Sequence, residues 1–192
     1  MANIANLTSE YVAKQIGWLC HAQHASTAAL AKLRRGIGRA PGEMPELWEA
    51  TLQGLPEELL SKNGQPTRGE WASYTALTLF ALHQQGKDMQ SDLMSQSGVG
   101  LGKAIRKLVR SKDDEERVKR RFDACATSTD IVELSNHLRG MVQLLKAAGI
   151  ALDYPALAKD LYLYQFPPYQ SSVRLRWGQD YYLFEKAEKP TV

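Results

Sequence analysis

The chain has 192 residues, 44% of them hydrophobic, with 24 Lys and Arg against 21 Asp and Glu for a formal net charge of +3. That length allows one domain or two small ones, and the hydrophobic share is enough for a packed core. No charged leader followed by an apolar run opens the chain and no stretch approaches membrane-span length, so a soluble, cytoplasmic protein with no membrane partner is expected.

The charge is unevenly spread. Residues 1–97 carry 8 basic against 9 acidic side chains, a net of −1, whereas residues 98–192 carry 16 against 12, a net of +4. A local excess of this kind suits a polyanionic partner better than the whole-chain figure implies.

Along the chain, Thr8-Ser9-Glu10 is a helix-start signal, and Val12, Ile16, Leu19 and Cys20 follow at helical spacing. A second helical run from Ala25 to Leu33 closes on Arg34-Arg35 before Gly36 and Gly38, where basic residues complement the helix dipole. Pro45 opens a short segment carrying Leu47, Trp48 and Leu52. Thr67 and Glu70 have capping-box spacing, and Trp71, Tyr74, Leu77, Thr78, Ala81 and Leu82 then share one helix face. Residues 86–97 lack a sustained period and read as a linker or long loop.

The second half begins with Gly98, Gly100 and Gly102, followed by Lys103, Arg106, Lys107 and Arg110. On one continuous helix those four charges fall on one face, opposite Leu101, Ile105 and Leu108. Asp113 and Glu116 make another box, with Val118, Phe122 and Cys125 facing inward. Asp130 and Glu133 make a third, followed by the most regular stripe in the chain, Ile131, Leu134, Leu138, Met141, Val142 and Leu145, ending at Gly149. Asp153 caps a helix carrying Leu157, Leu161, Tyr162 and Tyr164 up to Pro167-Pro168. The last element runs from Ser171 through Phe184. Val173, Leu175 and Trp177 alternate as in a strand, but Trp177, Tyr181 and Phe184 at helical spacing favour helix. The fold class read from this pattern is all-α: two packed helical bundles, 1–90 and 98–192, joined by a linker, the second carrying a basic surface.

Each candidate for chemistry has a plainer competitor. The glycines fail the phosphate-loop pattern, because Gly98 to Gly102 is one residue short and Ala104 stands where a magnesium-binding hydroxyl is needed. The dinucleotide fingerprint also fails, with Lys103 near the third glycine position and no preceding strand. What survives is a glycine-rich helix start whose N–H groups can hold one backbone phosphate. His21 and His24 have metal-compatible spacing but no further ligands around them, so a surface or packed pair is the better reading and no cofactor is expected. Asp160 reads as a helix-surface acid, and Cys20 and Cys125 as free thiols. No nucleophile–base arrangement has a local signature, so the chain reads as non-enzymatic. Arg117, Lys119 and Lys112, next to acids 113–116, read as a solvated, salt-bridged face. Lys103, Arg106, Lys107 and Arg110 have no acid at helical spacing on their own side and favour phosphate contact.

Five segments in this order carry a resemblance: Leu33-Arg34-Arg35, Val99-Gly100-Leu101-Gly102-Lys103-Ala104, Arg120-Arg121-Phe122, Leu138-Arg139 and Leu152-Asp153-Tyr154-Pro155-Ala156-Leu157-Ala158. In these the chain resembles the CasB family, the small subunit of the type I-E CRISPR surveillance complex Cascade. The resemblance implies an all-α, non-enzymatic subunit present as a pair beside the other Cascade subunits. It implies contact with the guide RNA, the target DNA and the displaced strand of the R-loop. Carried over position by position, the contacts are Arg34, Arg35, Lys103, Arg120, Arg121 and Arg139; Arg106, Lys107 and Arg110 extend the set on periodicity alone. In such complexes base pairing reads sequence and protein reads backbone, so sequence-blind positive charge fits the task. Trp48, Trp71, Tyr74, Phe122 and Tyr162 sit on core stripes, so the grip is expected to be mainly electrostatic. The alternative is an adaptor whose basic face docks an acidic protein partner. A small hydrolase with an unrecognised site is a third class, tested by turnover of the purified chain alone.

Overall fold

The computed structural model describes residues 1–21 and 24–187, without the side chains of 24–26 and 184–187. The described residues form nine α-helices and no strand: α1 (Ala2–His21), α2 (His24–Arg35), α3 (Trp48–Leu52), α4 (Arg68–His83), α5 (Leu101–Arg106), α6 (Lys112–Thr127), α7 (Ile131–Ala148), α8 (Tyr154–Tyr164) and α9 (Pro167–Ala187). The fold is all-α, as the periodicity implies.

Helix α4 is the axis of the molecule. Its capping box forms in full, with Glu70 N–H donating to Thr67 Oγ1 at 3.0 Å and Thr67 N–H to Glu70 Oε2 at 2.7 Å. The sequence pattern gives it one apolar face, yet Ala72, Ala76, Leu79 and Phe80 on the other sides are also fully buried. The reason is its neighbours, because α1, α2, α7 and α8 all pack around it. Helix α1 also lies along α8, so one apolar core runs from Ala5 to Tyr181 through both segments.

Residues 86–97 form a pinned loop. The buried Gln84 side chain donates to the carbonyls of Lys87, Asp88 and Asp92 at 3.0–3.3 Å and accepts from the Met94 N–H at 2.8 Å. An isolated bridge between Ser95 and Leu152 ties the loop's end to the start of α8. One glutamine thereby supplies partners that a helix or sheet would otherwise give this backbone.

Several boundaries differ from the sequence pattern. Thr8 lies inside α1, where its hydroxyl donates back to the Ile4 carbonyl at 2.9 Å instead of capping. Ser111, not Asp113, caps α6, accepting from the Asp114 N–H at 3.3 Å. Pro167-Pro168 opens α9 instead of only ending α8, as a first turn that needs no N–H permits. Trp48 is 48% exposed, because the 3₁₀ turn Pro45–Leu47 shifts the phase and α3 buries Ala50 and Thr51 instead. Asp130 and Gly149 cap α7 as the pattern requires, Gly149 at φ 66° in the left-handed region.

Candidate nucleic-acid interface

The glycine-rich segment is an anchored strap. Asp153, the N-cap of α8, accepts the Ala156 N–H on Oδ1 at 2.9 Å and the Gly98 N–H on Oδ2 at 2.8 Å. Its own N–H donates to the Val99 carbonyl at 2.8 Å. Gly100 and Gly102 then let α5 lie directly on α9. A Cβ at Gly102 would land on the Trp177 carbonyl oxygen and 2.9 Å from the Tyr181 nitrogen, and one at Gly100 would sit 2.7 Å from Asp180 Oδ2. These two glycines are explained by helix packing.

Helix α5 ends at Arg106, so Lys103, Arg106, Lys107 and Arg110 do not share one continuous helix face. Lys103 is half-buried beside Asp180, whose carboxyl is pushed up by burial against the opposing charges of Arg176 and Lys103. Arg106 lies over the Tyr181 ring at 5.6 Å and pairs with Glu115 at 3.8 Å, its side chain only 17% exposed. The sequence offers it no acid on its own helix face; the acid comes from α6. Asp160 is a second correction: it is buried rather than on the surface, holding Arg176 and accepting from Trp177 Nε1 at 2.6 Å. Burial raises its pKa, and Arg176 and Trp177 oppose the rise.

A different setting holds the remaining basic residues. Where α6 packs on α7, Arg110, Arg117 and Arg121 rim a groove of about 290 Å³ floored by Leu108, Val118, Leu144, Ala147 and Ala148. Among the described residues no carboxylate lines it, although Arg117 also reaches Asp114 on its own helix at 2.6 Å. The Arg121 guanidinium crosses over α7 at Gly140, lying 3.8 Å from where a Cβ there would stand. The exposed Arg139 is the next residue along, and Arg120 and Lys107 are exposed as well.

Arg34 lines a second cleft, of about 330 Å³, with Cys20, Leu30 and the Gln84–Gln90 loop, while Arg35 pairs with Glu46 at 3.0 Å. The end of α7 lies between the two cavities. Lys146 donates to Gln85 Oε1 at 2.9 Å on the cleft side, and Ala147 and Ala148 floor the groove. Lys146 is the basic residue that sequence reasoning passed over, since a lysine in a last helical turn is ordinarily a dipole partner. The structure thus brings Arg110, Arg117 and Arg121 to one groove, places Lys103 and Arg106 in the α5–α9 packing, and leaves Arg139 exposed next to the Gly140 that Arg121 crosses.

Among the described residues no group of three or more His, Cys, Asp or Glu is placed to hold a metal. His21 Nδ1 lies 2.7 Å from the Gly17 carbonyl, and the His24 side chain is outside the described residues. Cys20 and Cys125 are free thiols, Cys125 buried and pushed up to about 12 by desolvation. No described helix is long and apolar enough to cross a membrane.

A family model described as CRISPR-associated protein Cse2 matches residues 29–182. Among solved structures, the fold is similar to CasB from Thermobifida fusca, with a TM-score of 0.73 and 30% identity over 93% of this chain and 97% of that one. It is also similar to M. ruber CasB, with a TM-score of 0.68 and 21% identity over 94% and 95% of the two chains. No curated protein sequence matches it.

Proposed function

The chain belongs to the CRISPR-associated Cse2 family, and we propose that it is a non-catalytic, cytoplasmic subunit of an RNA-guided Cascade complex. In that complex it steadies the guide RNA–target DNA heteroduplex and the displaced strand through phosphate contacts. A second copy and the other Cascade subunits are its protein neighbours in this reading, and segments 1–90 and 98–192 are its two lobes. The observation that carries the proposal is the groove rimmed by Arg110, Arg117 and Arg121 and, among the described residues, lined by no carboxylate, with the exposed Arg139 adjoining Gly140, the α7 residue that Arg121 crosses. Guanidinium groups around an open cavity suit phosphate oxygens, and their contact is blind to base sequence. The groove floor is aliphatic and, among the described residues, offers no aromatic platform, so the grip in this reading is electrostatic rather than by base stacking. In this reading the exposed Arg120 and Lys107 are outlying contacts, Arg34 and Arg35 lie apart at the second cleft, and Lys103 and Arg106 serve the α5–α9 packing.

The test is the assembled complex carrying Arg121→Glu and Arg139→Glu in this subunit. Target-duplex affinity is expected to fall roughly tenfold or more at physiological salt. Unchanged affinity with normal incorporation contradicts the proposal. Loss of incorporation, with no nucleic-acid contact by the wild-type chain, instead identifies an adaptor that docks an acidic protein.

A further inference from the structure

On the side of the molecule built from the start of α4 and the end of α8 lies a cleft of about 570 Å³, walled by Trp71, Tyr162 and Phe166. That volume is within the roughly 300–1,000 Å³ typical of binding pockets. Leu59 and Ile131 also line it, and the residue following each of them is an exposed large hydrophobic, Leu60 at 39% and Val132 at 47%. An open aromatic cleft with uncovered aliphatic side chains next to its lining is the usual form of a protein-binding patch.

Its charges say what kind of occupant fits. Arg68 is exposed, its guanidinium carbon lying over the Phe166 ring at 4.2 Å from the centroid, and among the described residues it pairs with no carboxylate. Gln165 Nε2 donates to the Arg68 carbonyl at 2.9 Å and fixes that corner of the backbone. Glu58, also exposed, lines the same cleft. One cation and one anion do not make a track for a polyphosphate chain, which needs a run of positive charge. They do match a protein segment with a large apolar side chain flanked by one carboxylate and one cationic side chain.

We propose that this cleft docks such a segment from a different protein subunit of the complex, the apolar side chain entering against Trp71 and Phe166 and the flanking charges meeting Arg68 and Glu58. The inference rests on the reading of the chain as a complex subunit but uses none of the residues assigned to nucleic acid. A guanidinium seated over an aromatic ring keeps N–H groups available at its edge, which can take a carboxylate at that rim in a two-pronged pairing.

The experiment uses the complex assembled on its guide RNA without this subunit as the probe. The full-length chain is titrated into it as wild type, Arg68→Glu and Glu58→Lys, and with a benzophenone side chain at position 132. The expected result is a tenfold or greater loss of affinity for each charge reversal and a photocrosslink from position 132 to a protein subunit. Single-stranded DNA binding by the isolated chain stays unchanged. Normal incorporation of both reversals, or a crosslink to RNA, to DNA or to a second copy of this chain, overturns the proposal. Failure of the wild-type chain itself to join overturns the subunit reading and this inference with it, whereas normal joining without these effects overturns the cleft alone.

Discussion

The α5–α9 seam and the α6–α7 groove are built from the same residue types and use them differently. In the seam, Gly100 and Gly102 bring two helix backbones together, and Lys103 and Arg106 turn inward to Asp180, Tyr181 and Glu115. In the groove, Arg110 and Arg121 stand at the rim of an open cavity and α7 supplies only small and aliphatic side chains beneath them. A basic residue near a glycine-rich turn is therefore a packing element in one place and a candidate phosphate contact a few residues later. What separates them is whether a neighbouring helix brings an acid or an aromatic face.

The largest effect that can sharpen this contrast lies in the seam. Trp177 is fully buried, stacked on Tyr164 at 5.6 Å and bonded to Asp160. Trp177→Ala is expected to cost about 3–5 kcal/mol in urea denaturation. Gly102→Ala places a carbon on the α9 backbone, which has no side-chain freedom to yield, and should cost about 3 kcal/mol. If Gly102→Ala proves neutral, the seam is looser than the geometry says.

The next effect is a pH response at His83, buried where α4 meets α7 and α8. Its Nδ1 lies 3.0 Å from the Tyr154 hydroxyl, and Nε2 is buried beside the Ile150 carbonyl without a well-formed bond to it. Burial lowers its pKa to about 4; Lys87 and Lys146 add to the fall, while Asp92 and the Ile150 carbonyl oppose it. The unfolded chain takes up the proton near the ordinary value and the folded chain resists it. The stability from this group is therefore fully present above about pH 6.5 and lost as pH falls toward 4. The loss is on the order of 3 kcal/mol. His83→Phe should flatten the stability profile over that window relative to wild type, and an unchanged slope would show that His83 titrates normally.

A smaller contrast sets two arginines against each other. Arg106→Ala should destabilise by about 1 kcal/mol through the lost ring contact and apolar cover. Arg121→Ala should stay within about 0.5 kcal/mol of wild type, as a surface change does. Thermal melts of the two variants measure this, and equal losses would remove the distinction between seam and groove.

Helices α4, α7 and α8 could be read from the chain because each carries its own cap and stripe, as α7 does from Asp130 to Gly149. Burial on the second and third sides of α4 could not, since periodicity reports one apolar face and the rest depends on four neighbours. Asp160 is similar: nothing near it in sequence shows that Arg176 and Trp177 will close over it. In the candidate site, the basic residue types and their crowding between 103 and 121 were legible. Their division was not, because α5 ends after Arg106 and the Glu115 that covers it belongs to the next helix. The place of Lys146 was not legible either, because its bond to Gln85 joins the end of α7 to a loop far away in sequence.

Contact between the groove arginines and nucleic-acid phosphates is tested most directly by the salt dependence of target binding. The assembled complex with wild-type subunit and with Arg110→Ala and Arg121→Ala should be compared across a salt series. The slope of log affinity against log salt is predicted to become shallower by about one for each contacting arginine removed. An identical slope, with both variants folded and incorporated, would contradict the account.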